Sequence, residues 1–211
     1  MLEPDVALTD FLLAGQNGAF AVLLLRQKTI DDRLRRAFSA FFAALGASAL
    51  FGGIWHGFYS SGGTDIGPWV WLATMTALAM TAAALWLIAA ACLPYRPWTN
   101  RLRTLAGVQL VAQTLIATFL TDAFLVGALG MLPAIVMVSA LYVRDYLATR
   151  SPRLLMGLGG LVLASVSTLV IFAGISLHPV WLTPNALYHL LQVVACWMLF
   201  LSVGSLNVGS R

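Results

Sequence analysis

Asn185, His189 and Gln192 stand at i, i+4 and i+7, and Cys196 follows one turn later. A helix places them on one face. They lie in an apolar run from about His178 to Val203, long enough to cross a bilayer. A polar stripe in hydrocarbon must face protein, water or a ligand. Asn and Gln often supply hydrogen bonds between membrane helices, which accounts for the two amides. An imidazole adds the chemistry of metal ligation and proton relay.

A second histidine lies at a matching depth. Ser48, Gly52 and His56 follow at i, i+4 and i+8, and Gly52, Gly53 and Gly57 allow another helix close to the imidazole. Beside Trp55 and Tyr59, His56 also suits an interfacial aromatic belt. Asp65 follows nine residues later, in a Gly/Ser-rich stretch that ends at Pro68, and a short return loop brings its carboxylate back beside the imidazole. Asp10 and Asn17 are seven apart and share a face. Thr9-Asp10 also reads as an N-cap pair, the expected role of Thr9. Histidine and aspartate are zinc ligands, and a catalytic zinc needs three protein ligands and an open position for water. The candidate ligands are His56, His189, Asp65 and Asp10. Asp65 as base, Ser48 and Asn185 as a hydrogen-bonding partner of water or substrate complete the candidate chemistry.

The elements that must position these groups follow from composition. The chain has 211 residues, 60% hydrophobic and only 9% charged, which is the balance of a polytopic membrane protein. Seven apolar spans are expected at roughly 8–25, 37–59, 68–93, 104–120, 123–143, 154–176 and 179–203, with Pro133 inside the fifth and ends good to a few residues. They leave room for one all-α, seven-helix transmembrane domain over 1–211. No internal repeat supports an inverted-repeat transporter. Gln109, Gln113 and Thr114 form an inward packing stripe on span four.

All twelve Lys and Arg residues fall between spans one and two, three and four, five and six, or after span seven, where Arg211 stands. The positive-inside rule makes that side cytoplasmic, with the N-terminus outside. The basic residues are thus topological signals, and nucleic acid is not an expected partner. The three histidines gather on the other side with Asp10, Asp65 and Asp122, where no Lys or Arg pairs with them. Asp122 reads as a solvated turn residue. Cys92 and Cys196 fall within apolar runs and are not placed for a surface disulfide. Glu3 and Asp5 in place of a basic n-region argue against a cleaved signal peptide. Short loops and an Ala/Leu-rich chain point to a bacterial inner membrane.

Together these residues resemble the superfamily of seven-helix membrane proteins that contains the alkaline ceramidases and the progestin and adipoQ receptors. That superfamily carries Ser-x-x-x-His on helix two, an Asp further on and His-x-x-x-His on helix seven, and three histidines hold a zinc whose water attacks a lipid amide. His56 matches the helix-two histidine, Asp65 the aspartate, and His189 the second helix-seven histidine. Asp10 with Asn17 is similar to a Glu and Asn of the same spacing on helix one. The chain departs from the pattern at Asn185, in place of the first helix-seven histidine, and at Gly52, in place of the serine, with Ser48 one turn away. Asp65, Asp10 or His178 would have to replace the missing ligand. The resemblance implies a zinc-dependent hydrolase of a lipid amide or ester, with membrane lipids as partners. A homodimer is compatible with the sequence. Two other classes fit the same residues: a receptor or carrier with a wet cavity, and a b-type haem electron carrier with His56 and His189 as axial ligands.

Overall fold

In the computed structural model, residues 1–63 and 65–208 are described. Seven helices follow one another: α1 Pro4–Arg26, α2 Asp32–Phe58, α3 Gly67–Cys92, α4 Arg96–Phe119, α5 Phe124–Thr149, α6 Pro152–Phe172 and α7 Pro184–Ser202. Each is long and apolar enough to cross a membrane. Among the described residues there is no strand, only an isolated bridge between His178 and Leu182.

Local chemistry sets the helix starts. Proline opens α1, α3, α4, α6 and α7 in the first turn, where its missing N–H is not needed. Asp31 caps α2 by accepting from the backbone N–H of Arg33 at 2.8 Å and of Leu34 at 3.3 Å. Some ends differ from those expected. α4 begins at Arg96 rather than 104, because Arg101 and Arg103 ride on its first turns instead of ending it. α7 begins at Pro184 rather than 179, because residues 176–182 close a turn in which Leu182 N–H donates to the His178 carbonyl. Thr9 is not an N-cap: α1 starts at Pro4, so Thr9 and Asp10 lie inside it. Arg211 lies outside the described residues.

α3 is the central helix, with 83% of its apolar stretch buried against 11% for α4. Its alanines at 82–84 and 89–91 let neighbours approach closely. α2 packs on one side of it, α4 and α5 on the other, and α6 and α7 complete the circuit back to α1. α1 therefore lies against both α2 and α7. A stack of Phe20 on Phe200, with ring centroids 4.2 Å apart, and the edge contact of Phe20 with Phe42 at 5.4 Å tie these three helices together.

The short connections make the bundle run up and down, so the loops divide between two ends. The basic end carries the α1–α2, α3–α4 and α5–α6 connections. The acidic end carries the α2–α3, α4–α5 and α6–α7 connections, the start of α1 and, among the described residues, no Lys or Arg. Gln109 and Gln113 face inward, donating to the Gly130 carbonyl at 2.6 Å and the Gly127 carbonyl at 3.3 Å. They tie α4 to α5 just before Pro133.

Candidate functional site

The site is built on α1. Gly53 of α2 meets it so closely that a Cβ there would lie 2.9 Å from the Phe11 ring. A Cβ at Gly52 would lie 3.3 Å from Asp10 Oδ2. The α2 glycines thus admit α1, not α7, beside His56. This decides what each histidine meets. His56 Nδ1 bonds Glu3 Oε2 at 2.6 Å, and His189 Nε2 lies 3.2 Å from Asp10 Oδ1. Glu3, the residue just before α1, and Asp10, inside it, are seven residues apart, so the start of the chain supplies a carboxylate to each imidazole.

The pair at His189 can be followed proton by proton. Thr9 Oγ1 lies 2.9 Å from the Asp5 and Val6 carbonyls, so its hydrogen goes to one of them. The hydroxyl oxygen is then an acceptor for His189 Nδ1–H, 3.3 Å away. This tautomer is assigned from the hydrogen-bond network. A neutral ring with Nδ1 protonated has a bare Nε2, which faces Asp10 Oδ1 at 3.2 Å. Asp10 is 3% exposed, and its second oxygen, Oδ2, has no hydrogen-bond partner among the described residues. A buried carboxylate oxygen left in this state is costly and calls for an explanation.

Asp10, Ser48, His56, Asn185 and His189 all line one cavity of about 350 Å³ at the acidic end. Ser48, buried on α2, donates to the Thr74 carbonyl at 3.1 Å, so its hydroxyl is part of the wall. Asn185 is half-buried on the first turn of α7. Asp65 is not brought to this group: it is exposed in the α2–α3 loop. Gly62 and Gly63, both at positive φ, turn the chain there before α3 begins. The carboxylate expected beside His56 comes from Glu3 instead. His178 is exposed and accepts from the Val180 and Trp181 N–H groups, so it serves its own turn. Gln192 leaves the stripe, donating to the Ala164 carbonyl at 3.0 Å and to Ser167 Oγ at 2.9 Å on α6. It is interhelical glue. Cys92 and Cys196 are free and buried.

A second chamber of about 160 Å³ adjoins the first. The two share Leu45, Leu78, Phe124, Leu125, Phe172 and Tyr188 as walls. The inner chamber follows α5 from Phe124 to Ile135, roughly 15 Å at the rise of an α-helix. Its walls are almost entirely aliphatic and aromatic. On the α5 and α6 side, the lining residues Leu129 and Leu169 are also exposed on the bundle surface, at 53% and 63%.

The residues can be set against a zinc site. The 3.2 Å between His189 Nε2 and Asp10 Oδ1 equals about one edge of a tetrahedron with bonds near 2.0–2.1 Å. Both histidines also have Nδ1 held by an oxygen, as zinc-ligating histidines do. The third ligand does not fit. Among the described residues no three His, Cys, Asp or Glu side chains converge. Asn185 is a neutral amide, and Asp65 is in the loop. Bis-histidine ligation of a haem through Nε2 would require His189 to leave Asp10, whereas His56 meets Glu3 through Nδ1.

Sequence reasoning missed Glu3 and Asp5. Asp5, also buried, accepts from Thr183 Oγ1 at 2.5 Å and from Thr183 N–H at 3.3 Å, fastening α1 to the start of α7. The i, i+7 series Glu3–Asp10–Asn17 was a signal that could have found Glu3. Trp71 and Tyr188, which line the cavity, carried no such mark.

A family model described as a family of unknown function, DUF6962, matches residues 6–207. No curated protein and no solved structure gives a significant match.

Proposed function

Because the chain belongs to that family of unknown function, DUF6962, we propose a function from the cavity itself: the protein binds a single-chain lipid within the membrane and hydrolyses its amide or ester bond. One observation carries this reading. A polar chamber holding a carboxylate–imidazole pair shares six wall residues with an adjoining apolar chamber roughly 15 Å long, the arrangement of a head and a tail. The reading places the acidic end outside and the basic end in the cytoplasm of a bacterial inner membrane, as the charge distribution favours. The exposed lining residues between α5 and α6 give a hydrocarbon chain a way in from the bilayer.

The chemistry follows from the pair. A water oxygen attacks the carbonyl carbon of the scissile bond, and its proton passes to Asp10 Oδ2, the spare acceptor. A proton carried by the pair, on Asp10 Oδ1 or His189 Nε2, is given to the leaving nitrogen or oxygen as the bond breaks. One water is consumed, and a fatty acid and an amine or alcohol are released. Among the described residues no three zinc ligands converge, so the steps are assigned to the chain's own side chains.

The test is release of free fatty acid from N-acyl and O-acyl single-chain lipids by the purified protein, read by mass spectrometry. Asp10→Asn and His189→Ala should each lower the rate by about 100-fold or more, the range expected for removing a positioned acid or base. Elemental analysis separates the two chemistries. About one zinc per chain, lost in His189→Ala, would place a Lewis acid at the pair. Zinc-free, active protein would leave the chemistry to the acid and the imidazole. Asn185, in place of a third histidine, also favours a second reading, a receptor or carrier. Ligand-dependent thermal stabilisation with no product at any lipid would select it.

A further inference from the structure

The polar chamber has no Lys or Arg in its wall; its basic side chains are the imidazoles of His56 and His189, which face Glu3 and Asp10. Its lining contains Asp10 and, on different helices, the rings of Trp71, Phe124, Phe172 and Tyr188. Trp71 is fixed in place: its indole N–H donates to the Asp122 carbonyl at 2.8 Å, and its ring lies 4.7 Å from that of Trp55. Phe124 and Tyr188 meet edge to face with centroids 5.8 Å apart, joining α5 to α7. Glu3, Asp5, Asp65 and Asp122 surround this end of the bundle, and every described Lys and Arg lies at the other. An anionic head entering here would meet carboxylates and no counter-charge. A cationic head would meet aromatic rings, a negative field and the buried Asp10 carboxyl, whose Oδ2 has no partner among the described residues.

We propose that the lipid bound in this cavity carries a cationic amine or quaternary ammonium head, held by Trp71, Tyr188 and Asp10, with its single chain in the inner chamber. This rests on the proposed lipid-binding function and narrows its ligand class. The aromatic faces select a diffuse positive charge, which gains from the ring quadrupole and loses little on leaving water. The same walls offer a phosphate or sulfate head no Lys or Arg, only imidazoles that already face Glu3 and Asp10.

The test uses the full-length protein in nanodiscs of a neutral galactolipid, which has no ammonium of its own. Binding of radiolabelled hexadecyltrimethylammonium, hexadecyl maltoside and hexadecyl phosphate, which share one chain and differ in head, is measured at low mole fraction. The cation should bind about tenfold tighter than the maltoside, with the phosphate weakest. Trp71→Leu and Asp10→Asn should each remove most of that preference. Trp71→Phe, which keeps a ring in the wall, should retain most of it and guards against a folding defect. Equal or tighter binding of the maltoside or phosphate overturns the cationic-head proposal and leaves the lipid-binding function standing. A cation preference that survives both Trp71→Leu and Asp10→Asn reflects surface adsorption and overturns it too. If tetramethylammonium displaces the long-chain cation at equal concentration, the chain contributes nothing, and the assignment of the inner chamber fails. If none of the three hexadecyl probes binds, the lipid-binding function fails with it.

Discussion

Two aspartates are buried in this bundle to nearly the same extent, Asp10 at 3% exposure and Asp145 at 2%, and they are treated in opposite ways. At the basic end, both oxygens of Asp145 are used: Oδ1 accepts from Arg144 Nε at 2.7 Å and Oδ2 from the Asn207 N–H at 2.8 Å. Close by, Tyr142 and Ser202 share a hydrogen bond of 2.7 Å, and Gly157 of α6 packs against both side chains. At the acidic end, Asp10 uses one oxygen and leaves the other bare. Four buried side-chain atoms lack a partner among the described residues, and three of them are oxygens of α1, on Asp10, Gln16 and Asn17. The difference separates two uses of burial. Around Asp145 the polar side chains are satisfied and hold α5, α6 and the chain after α7 together. Asp10 leaves one acceptor unsatisfied beside a cavity, a cost that the proposed ligand would offset on binding.

The contrast can be broken by substitution, and the largest effect belongs to the packed end. A Cβ on Gly157 would lie 2.3 Å from the Tyr142 ring and 2.5 Å from Ser202 Oγ, so Gly157→Leu should destabilise by about 3 kcal/mol or more. Thermal unfolding in detergent would show the loss as a large fall in Tm.

The two aspartates provide the sharper test. Asp145→Asn weakens two charge-assisted hydrogen bonds and should cost about 1.5–3 kcal/mol. Its ligand binding should be unchanged once folded. Asp10→Asn removes a buried acid that has only one partner, so its stability should stay within about 1 kcal/mol of the parent while binding and turnover collapse. Equal losses of Tm in the two variants would mean that Asp10 is as structural as Asp145. Tyr142→Phe should give the smallest change. It deletes one neutral hydrogen bond, worth about 1 kcal/mol, and should leave fatty-acid release at the wild-type rate.

Much of the fold was legible because hydrocarbon imposes a strict pattern. Seven apolar runs and the one-sided distribution of Arg and Lys mark seven helices and two unlike ends, whatever packs against what. The ends were less legible where a local rule competed with hydropathy. Arg101 and Arg103 look like loop residues but sit on α4, since an arginine on the first turns of a helix can reach polar surroundings. Site membership was legible by type and spacing for Asp10, Ser48, His56, Asn185 and His189, since a polar group in an apolar helix needs a reason to be there. Asp65 failed the same reasoning because it is a loop residue, and a loop carboxylate needs no partner but water.

What no spacing could supply was the order of helices in space. The sequence places His56 and His189 at similar depths and so invites them to share one ion. The bundle puts α1 beside both, and each imidazole takes a carboxylate from that helix or the residue just before it. The glycines at 52 and 53 were visible from the start as a place of close approach; that α1 fills it was not. Hydropathy and charge act residue by residue and can be read along the chain. Neighbour choice is a property of complementary surfaces on different helices, and it exists only once the chain has packed.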